Sequence, residues 1–256
     1  MNRIETLFQP KRKNILNVYC TAGYPELEST IPVMLALQEY GADIIEIGMP
    51  YSDPLADGPV IQQSNAVALK NGMTIHKLLE QLRGFRHQVY VPVLLMGYMN
   101  PILQYGFEKF CQHAADVAID GLILPDLPIH EFETEYGLYI QRYGLSFVFL
   151  VTPETSEERI RKIDELSSGF IYAVSTSSTT GKNTDFQAQQ SYFERLQQMK
   201  LRNPVLVGFG IKDKKTFEAA SLHANGAIIG SAYIRALENS TDINSTTKEF
   251  LSSILQ

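Results

Sequence analysis

The sequence predicts a (β/α)8 barrel, a single domain over 1–256 with short helical additions at its N-terminal and C-terminal ends. Three observations carry this expectation. Eight apolar runs of strand length alternate with amphipathic stretches along the 256 residues, close to the length of an eight-unit barrel. Every connection is long enough for the crossover helix that parallel neighbours require. The first turn, Thr21-Ala22-Gly23-Tyr24-Pro25, lacks the glycine fingerprint of a doubly wound dinucleotide fold, which is the competing architecture.

Strand one is expected at 15–21, where aliphatic, aromatic and β-branched residues run together, and an amphipathic helix at 26–40 returns the chain. Strand two covers 43–47; it leads through a proline-rich loop to helices at 60–70 and 75–85. Strand three (91–96) is followed by a helix at 107–115, and strand four (121–124) by one at 132–143. Strands five (147–151), six (169–174), seven (205–208) and eight (227–229) interleave with helices at 156–166, 189–199 and 214–223. Polar residues 239–244 join the last barrel helix to a C-terminal helix at 245–255. No linker, low-complexity tract or second domain is visible.

Composition narrows the function classes. A formal charge of −6 and the lack of any Lys/Arg run beyond Lys11-Arg12-Lys13 argue against nucleic acid as a partner. No apolar run reaches the ~18 residues of a membrane helix, and the first residues lack the apolar core of a signal peptide, so a cytoplasmic protein is expected. Two isolated cysteines, Cys20 and Cys111, suggest a reducing compartment without a disulfide framework. Histidines 76, 87, 113, 130 and 223 have no metal-ligand spacing, so no metal site is expected.

The densest chemistry lies at 46–59, Glu-Ile-Gly-Met-Pro-Tyr-Ser-Asp-Pro-Leu-Ala-Asp-Gly-Pro. Strand side chains alternate between two faces, so Ile45 and Ile47 point one way and Ile44 and Glu46 the other. Glu46 thus ends a buried strand, where an unpaired carboxylate is costly or has its pKa raised. Barrel enzymes place catalytic groups at strand C-terminal ends and in the loops that follow. Glu46 is therefore a candidate acid or base, unless a barrel Lys or Arg neutralises it. Asp57 in the following loop is a second candidate, although Asp57-Gly58-Pro59 also reads as turn chemistry before a helix. Tyr172 in strand six could serve the site or the core, and Asp126 between Pro125 and Pro128 could be a rigid turn. Gly208-Phe209-Gly210-Ile211 after strand seven and Gly230-Ser231 after strand eight could cradle a phosphate on backbone N–H groups, or be tight turns only. Gly181, in the small polar loop 175–183, could add to that cradle; such a loop is either a lid or merely disordered.

Taken together, Thr21-Ala22-Gly23-Tyr24-Pro25, the 46–59 segment, Asn100-Pro101, Leu124-Pro125-Asp126-Leu127-Pro128, Gly208-Phe209-Gly210-Ile211 and Gly230-Ser231 resemble the alpha subunits of tryptophan synthase, over nearly the whole chain. The resemblance implies a lyase that cleaves indole-3-glycerol phosphate to indole and D-glyceraldehyde 3-phosphate. It implies Glu46 as general acid and base, and Asp57 as acceptor of the indole N–H. By the same resemblance Tyr19, Tyr98 and Phe209 line the indole pocket, Tyr172 lies near the substrate, and Thr180, Gly181, Gly210, Gly230 and Ser231 belong to the phosphate side. It further implies no cofactor in this chain, and a beta subunit carrying pyridoxal phosphate as partner in an alpha2beta2 heterotetramer. One stretch departs: the family's Ser-x-x-Gly-Val-Thr-Gly reads Ser175-Thr176-Ser177-Ser178-Thr179-Thr180-Gly181 here. Serine does not take the positive φ that glycine takes cheaply, so loop closure is the property the resemblance does not carry over. Two other readings compete. Another phosphate-binding barrel would normally show a catalytic Lys or a metal site. A non-catalytic regulatory subunit would not need both Glu46 and Asp57.

Overall fold

The computed structural model describes residues 2–9, 13–174, 184–208 and 210–256, with 184–190 described as backbone only. Helix α1 (Arg3–Leu7) opens the chain; the Asn2 side chain accepts from the Ile4 N–H and Glu5 reaches back to the Asn2 N–H. The strands are β1 (Ile15–Thr21), β2 (Ile44–Gly48), β3 (Val93–Met96), β4 (Gly121–Ile123), β5 (Ser146–Phe147), β6 (Leu150–Val151), β7 (Ile171–Val174), β8 (Val205–Gly208) and β9 (Gly226–Ile229). All ladders are parallel, in the order β5-β4-β3-β2-β1-β9-β8-β7-β6.

Strand five is therefore not one element but two. Ser146 and Phe147 pair with β4, and Val148 N–H still donates to Leu122 C=O at 3.0 Å. From Phe149 onward the segment serves the other neighbour: its C=O accepts from Tyr172 N–H at 3.0 Å, and Leu150 and Val151 pair with β7. The ring closes through this change of partner. A single chain segment bonds β4 with one half and β7 with the other.

Helices α2 (Thr30–Glu39), α3 (Pro59–Lys70), α4 (Ile75–Gln81), α5 (Met99–Tyr105), α6 (Phe107–Asp116), α7 (Ile129–Glu131), α8 (Gly137–Arg142), α9 (Glu157–Leu166), α10 (Thr184–Gln198), α11 (Lys214–His223), α12 (Ser231–Leu237) and α13 (Ile243–Leu255) accompany the strands. A π-helical turn, Phe132–Tyr136, joins α7 to α8. Helix α5 occupies the stretch between strand three and the helix expected at 107–115, where the sequence predicts no element. Pro101 falls in its first turn, where a missing N–H costs nothing because the first four donors of a helix lack intrahelical acceptors. The C-terminal helix α13 packs on α2, α11 and α12, with Tyr233 and Thr247 hydroxyls 2.7 Å apart and Tyr40 donating to Asn244 at 2.6 Å. None of the described helices is long and apolar enough to cross a membrane.

Two apolar layers result from the two-residue period of the strands. Ile45 and Ile47 pack outward with Leu16, Val18 and Leu95 under helix residues such as Val33, Leu37 and Leu78. Ile15, Ile44, Leu94, Ile123, Val148, Leu206 and Ile228 fill the barrel interior together with Ile4 of α1. Ile4 sits against Gly169 (φ +108°), where an added Cβ would lie 2.9 Å from its Cγ2. Asp120, just before β4, ties α1 to the strands: it accepts from Arg3 (3.0 Å), from Arg86 and from Val93 N–H (2.8 Å). Asn2 Nδ2 donates to Asp120 C=O at 2.8 Å and to Ser146 Oγ at 2.9 Å.

Asp120 is buried, and removing it takes the carboxylate from Arg86 and Arg3 and leaves the buried Val93 N–H without its acceptor. Asp120→Ala is expected to lower unfolding free energy by about 3–5 kcal/mol. Urea melts check this: the midpoint should fall while the slope stays unchanged.

Candidate active site

The site begins at the C-terminal end of β2. Alternation turns Glu46 inward, in register with Tyr19 of β1 and Leu94 of β3. Its side chain is fully buried. Oε1 accepts from Asn17 Nδ2, and Oε2 has no hydrogen-bond partner. No described cation pairs with it, so the neutralised-carboxylate alternative falls away. Burial pushes the carboxyl up to about 8, and the Asn17 hydrogen bond offsets only part of that rise. At neutral pH Glu46 therefore carries a proton.

Asp57 approaches from the loop after β2. Gly58 is the N-cap of α3 and Pro59 its first residue, and no side chain caps the helix. The turn reading thus accounts for the backbone of Asp57-Gly58-Pro59 and leaves the carboxylate free for another use. Its Oδ2 accepts from the Tyr98 hydroxyl at 3.0 Å. Burial, only partly offset by the Tyr98 hydrogen bond, raises Asp57 to about 6, so it is mostly ionised at neutral pH. Tyr98 Oη itself accepts from Ala56 N–H at 3.1 Å, which holds the ring in place. One strand–loop unit thus supplies a protonated and an ionised carboxyl, a division suited to acid and base roles.

Two tyrosines complete the interior wall. The Tyr19 ring lies over Gly48, where an added Cβ would come within 2.0 Å of its hydroxyl. The Tyr172 ring, from β7, lies over Gly208 of β8, where a Cβ would meet it at 2.3 Å. Only glycine on the adjacent strand admits either ring. Both phenols are held well above the usual tyrosine range, first by burial and then by the negative charges of Asp57 and Glu46. They stay neutral and able to donate. The structure thus brings Glu46, Asp57, Tyr19, Tyr98 and Tyr172 together.

The phosphate candidates are less uniform. Gly210 is exposed and has φ +76°, a conformation that favours glycine. Gly230 is the N-cap of α12, its C=O accepting from Tyr233 N–H at 2.9 Å, and Ser231 is the first helical residue. A Cβ on Gly230 would meet Ile61 Cδ1 at 3.5 Å, an ordinary contact, so the protein itself has room there. Thr180, Gly181 and Phe209 lie outside the described residues.

Two residues gained meaning only in three dimensions. Asn17 shares the inward face of β1 with Tyr19, so the two-residue period was a signal for it. Asp126, suspected of being a turn, receives Met99 N–H at 3.0 and 3.1 Å on its two carboxylate oxygens and so caps α5. A separate cleft between α4 and α6, lined by His76, Glu80, Arg83, Tyr105, His113 and Asp116, shares no residue with this site. No cluster of three or more potential metal ligands occurs among the described residues.

Comparison with known proteins gives consistent matches. A family model described as tryptophan synthase alpha chain matches residues 5–254. The tryptophan synthase alpha chain of Parabacteroides distasonis is 50% identical over 257 residues, covering 100% of both chains. That of Christiangramia forsetii is 52% identical over 243 residues, covering 94% of each. Among solved structures, tryptophan synthase subunit alpha from Legionella pneumophila superposes with a TM-score of 0.88 at 37% identity, over 99% of this chain and 97% of that one.

Burying Glu46 also fixes a sign for stability against pH. Its pKa rises from an ordinary 4.5 to about 8 on folding. The contribution is full below the unfolded value and is lost as pH climbs through the folded one. Glu46→Gln should therefore gain stability relative to the native chain between about pH 5 and about pH 8.5, by on the order of a few kcal/mol. Paired urea melts across that range check it, and a constant difference would remove the burial argument.

Proposed function

The chain belongs to the tryptophan synthase alpha chain family, lyases that cleave indole-3-glycerol phosphate, and from that premise we propose how its own residues perform the reaction. Glu46, protonated, delivers its proton to C3 of the indole ring, which turns the ring into an electron sink. Asp57, ionised, accepts the indole N–H and stabilises the positive charge developing there. The side-chain hydroxyl then gives its proton to Glu46, the C–C bond breaks, and its electrons restore the indole ring. The net change is one proton moved from oxygen to C3 and one C–C bond cleaved, with Glu46 protonated again. The carrying observation is the pair of carboxyls from one strand–loop unit, raised to about 8 and about 6, with Glu46 Oε2 unbonded.

The remaining assignments rest on the family resemblance. Tyr19, Tyr98 and Phe209 line the indole pocket, with Tyr172 beside the substrate. Thr180, Gly181, Gly210, Gly230 and Ser231 take the phosphate. No cofactor is assigned to this chain; pyridoxal phosphate is the partner's. The whole of 1–256 is read as one domain working in the cytoplasm.

A beta subunit is the partner the family implies, and we assign it an alpha2beta2 assembly. Its docking face is the C-terminal end of the barrel, through the loop 50–59 and α5. Leu55 (92% exposed) and Leu103 (46% exposed) support this reading, because apolar side chains left in water on these two adjoining elements gain most from being covered. The Tyr98–Asp57 hydrogen bond connects that face to the carboxyls, so docking can adjust catalytic geometry, where a small displacement changes rate by up to ~10²-fold.

Steady-state indole release tests the roles. Glu46→Gln should lower kcat at least ~10²-fold with substrate binding retained. Asp57→Asn should lower kcat more than it weakens binding. Either variant within a few-fold of the native rate sinks its assignment, and loss of binding alone would return Asp57 to a turn residue.

The partner face is tested separately. The isolated chain is expected to release indole slowly and to accelerate on adding the beta subunit. Leu103→Asp should weaken that association at least ~10-fold while leaving the unassisted rate within about twofold. Unchanged association by titration would move the docking face elsewhere.

A further inference from the structure

Asn17 is a polar side chain in an otherwise apolar layer of the barrel. It is fully buried, and its register partners on β2 and β9 are Ile44 and Ile228, both of the interior cluster. Burying an amide is costly unless hydrogen bonds replace its water. Other asparagines here bond structural groups: Asn71 Nδ2 donates to Gly23 and Pro25 carbonyls at 2.9 Å each, and Asn203 Nδ2 to Asp164. Asn17 instead bonds Glu46 Oε1 and leaves its own Oδ1 unpartnered. An amide kept in an apolar layer with half its capacity unused is poor structural chemistry. It makes sense if its task is to hold the carboxyl.

The amide also suits a group that changes protonation. Nδ2 can donate to Oε1 both when Glu46 is a carboxylate and when it is an acid carrying its proton on Oε2. Either way one carboxyl oxygen is held and the other is left open. We propose that Asn17 is the positioning residue of the lyase site: it fixes Glu46 by one oxygen in both protonation states and reserves the other for proton transfer. This rests on the reading of Glu46 as general acid and base.

The surroundings make the consequence readable. Among the described residues, Cys20 and Tyr19 on β1, Tyr172 on β7, Tyr98 before α5 and Asp57 in the loop are the titratable groups that interact with Glu46 or share its site, and none is a cation. The inward residues Leu94, Met96, Ile123, Leu206 and Ile228 do not titrate. Among the described residues Asn17 is thus the one group lowering the Glu46 pKa, and its loss should raise it.

The test is Asn17→Leu, close in volume and unable to hydrogen-bond, assayed with indole-3-glycerol phosphate over pH beside Glu46→Gln. The expected result is a kcat lower by roughly tenfold, KM within about twofold, and displacement to higher pH of the ionisation that Glu46→Gln abolishes. Asn17→Ser, whose hydroxyl both donates and accepts, should restore part of the rate. Native kcat with an unmoved ionisation overturns the proposal, and so does a loss of rate without the pH displacement. If Asn17→Leu does not melt cooperatively, Asn17→Ala is read by the same criteria. An active Glu46→Gln would instead overturn the Glu46 assignment, whereas an inactive one beside a native-like Asn17→Leu removes only Asn17.

Discussion

Everything in the site depends on a carboxyl taken out of water with no cation among the described residues to meet it. Glu46 sits at the inner end of β2 with one amide contact and one oxygen unbonded. In such a place the charged form is the expensive one, so the group holds its proton where an exposed glutamate would have lost it. The apolar interior that stabilises the barrel is also what raises this pKa. Packing and chemistry here are a single constraint seen from two sides.

The rest of the site is arranged around that proton. Asp57 stands further from the interior and keeps its charge through the Tyr98 hydroxyl. Tyr98 is the N-cap position of α5, the following N–H is taken by Asp126, and the Tyr51 ring lies 5.4 Å from the Tyr98 ring. The loops after the second, third and fourth strands of the ring are thereby linked by specific contacts. Tyr19 and Tyr172 are admitted by Gly48 and Gly208. The inventory of reactive side chains is short, and its placement relies on glycines and on one aspartate that do no chemistry themselves.

Much of this was legible in the sequence, and particular residues show why. The inward turn of Glu46 follows from strand period alone, and the loop carrying Asp57 is contiguous with it. Strand five could not be divided from sequence, because the division depends on which neighbour each half bonds. Helix α5 was missed because Met99-Asn100-Pro101 reads as a turn, and the carboxylate that caps it comes from the loop after β4. Asn17 was in plain view on the right face, but its partnership with Glu46 depends on the offset between β1 and β2, which a single sequence does not display. Local periodicity could be read; register and long-range capping could not.

The anchoring of α1 has a consequence for how the chain is made. Asn2 bonds Ser146 across 144 residues, and Arg3 bonds Asp120 across 117. During synthesis the first helix emerges long before its receptors exist. At ~5–20 residues per second the ribosome takes on the order of ten seconds to deliver Ser146. Through that interval Ile4 and Leu7 remain uncovered, an apolar turn available to chaperones or to unwanted neighbours. A segment translated well before its receptors is thus among the last to be seated, and closing the barrel floor is a late event in the life of the nascent chain.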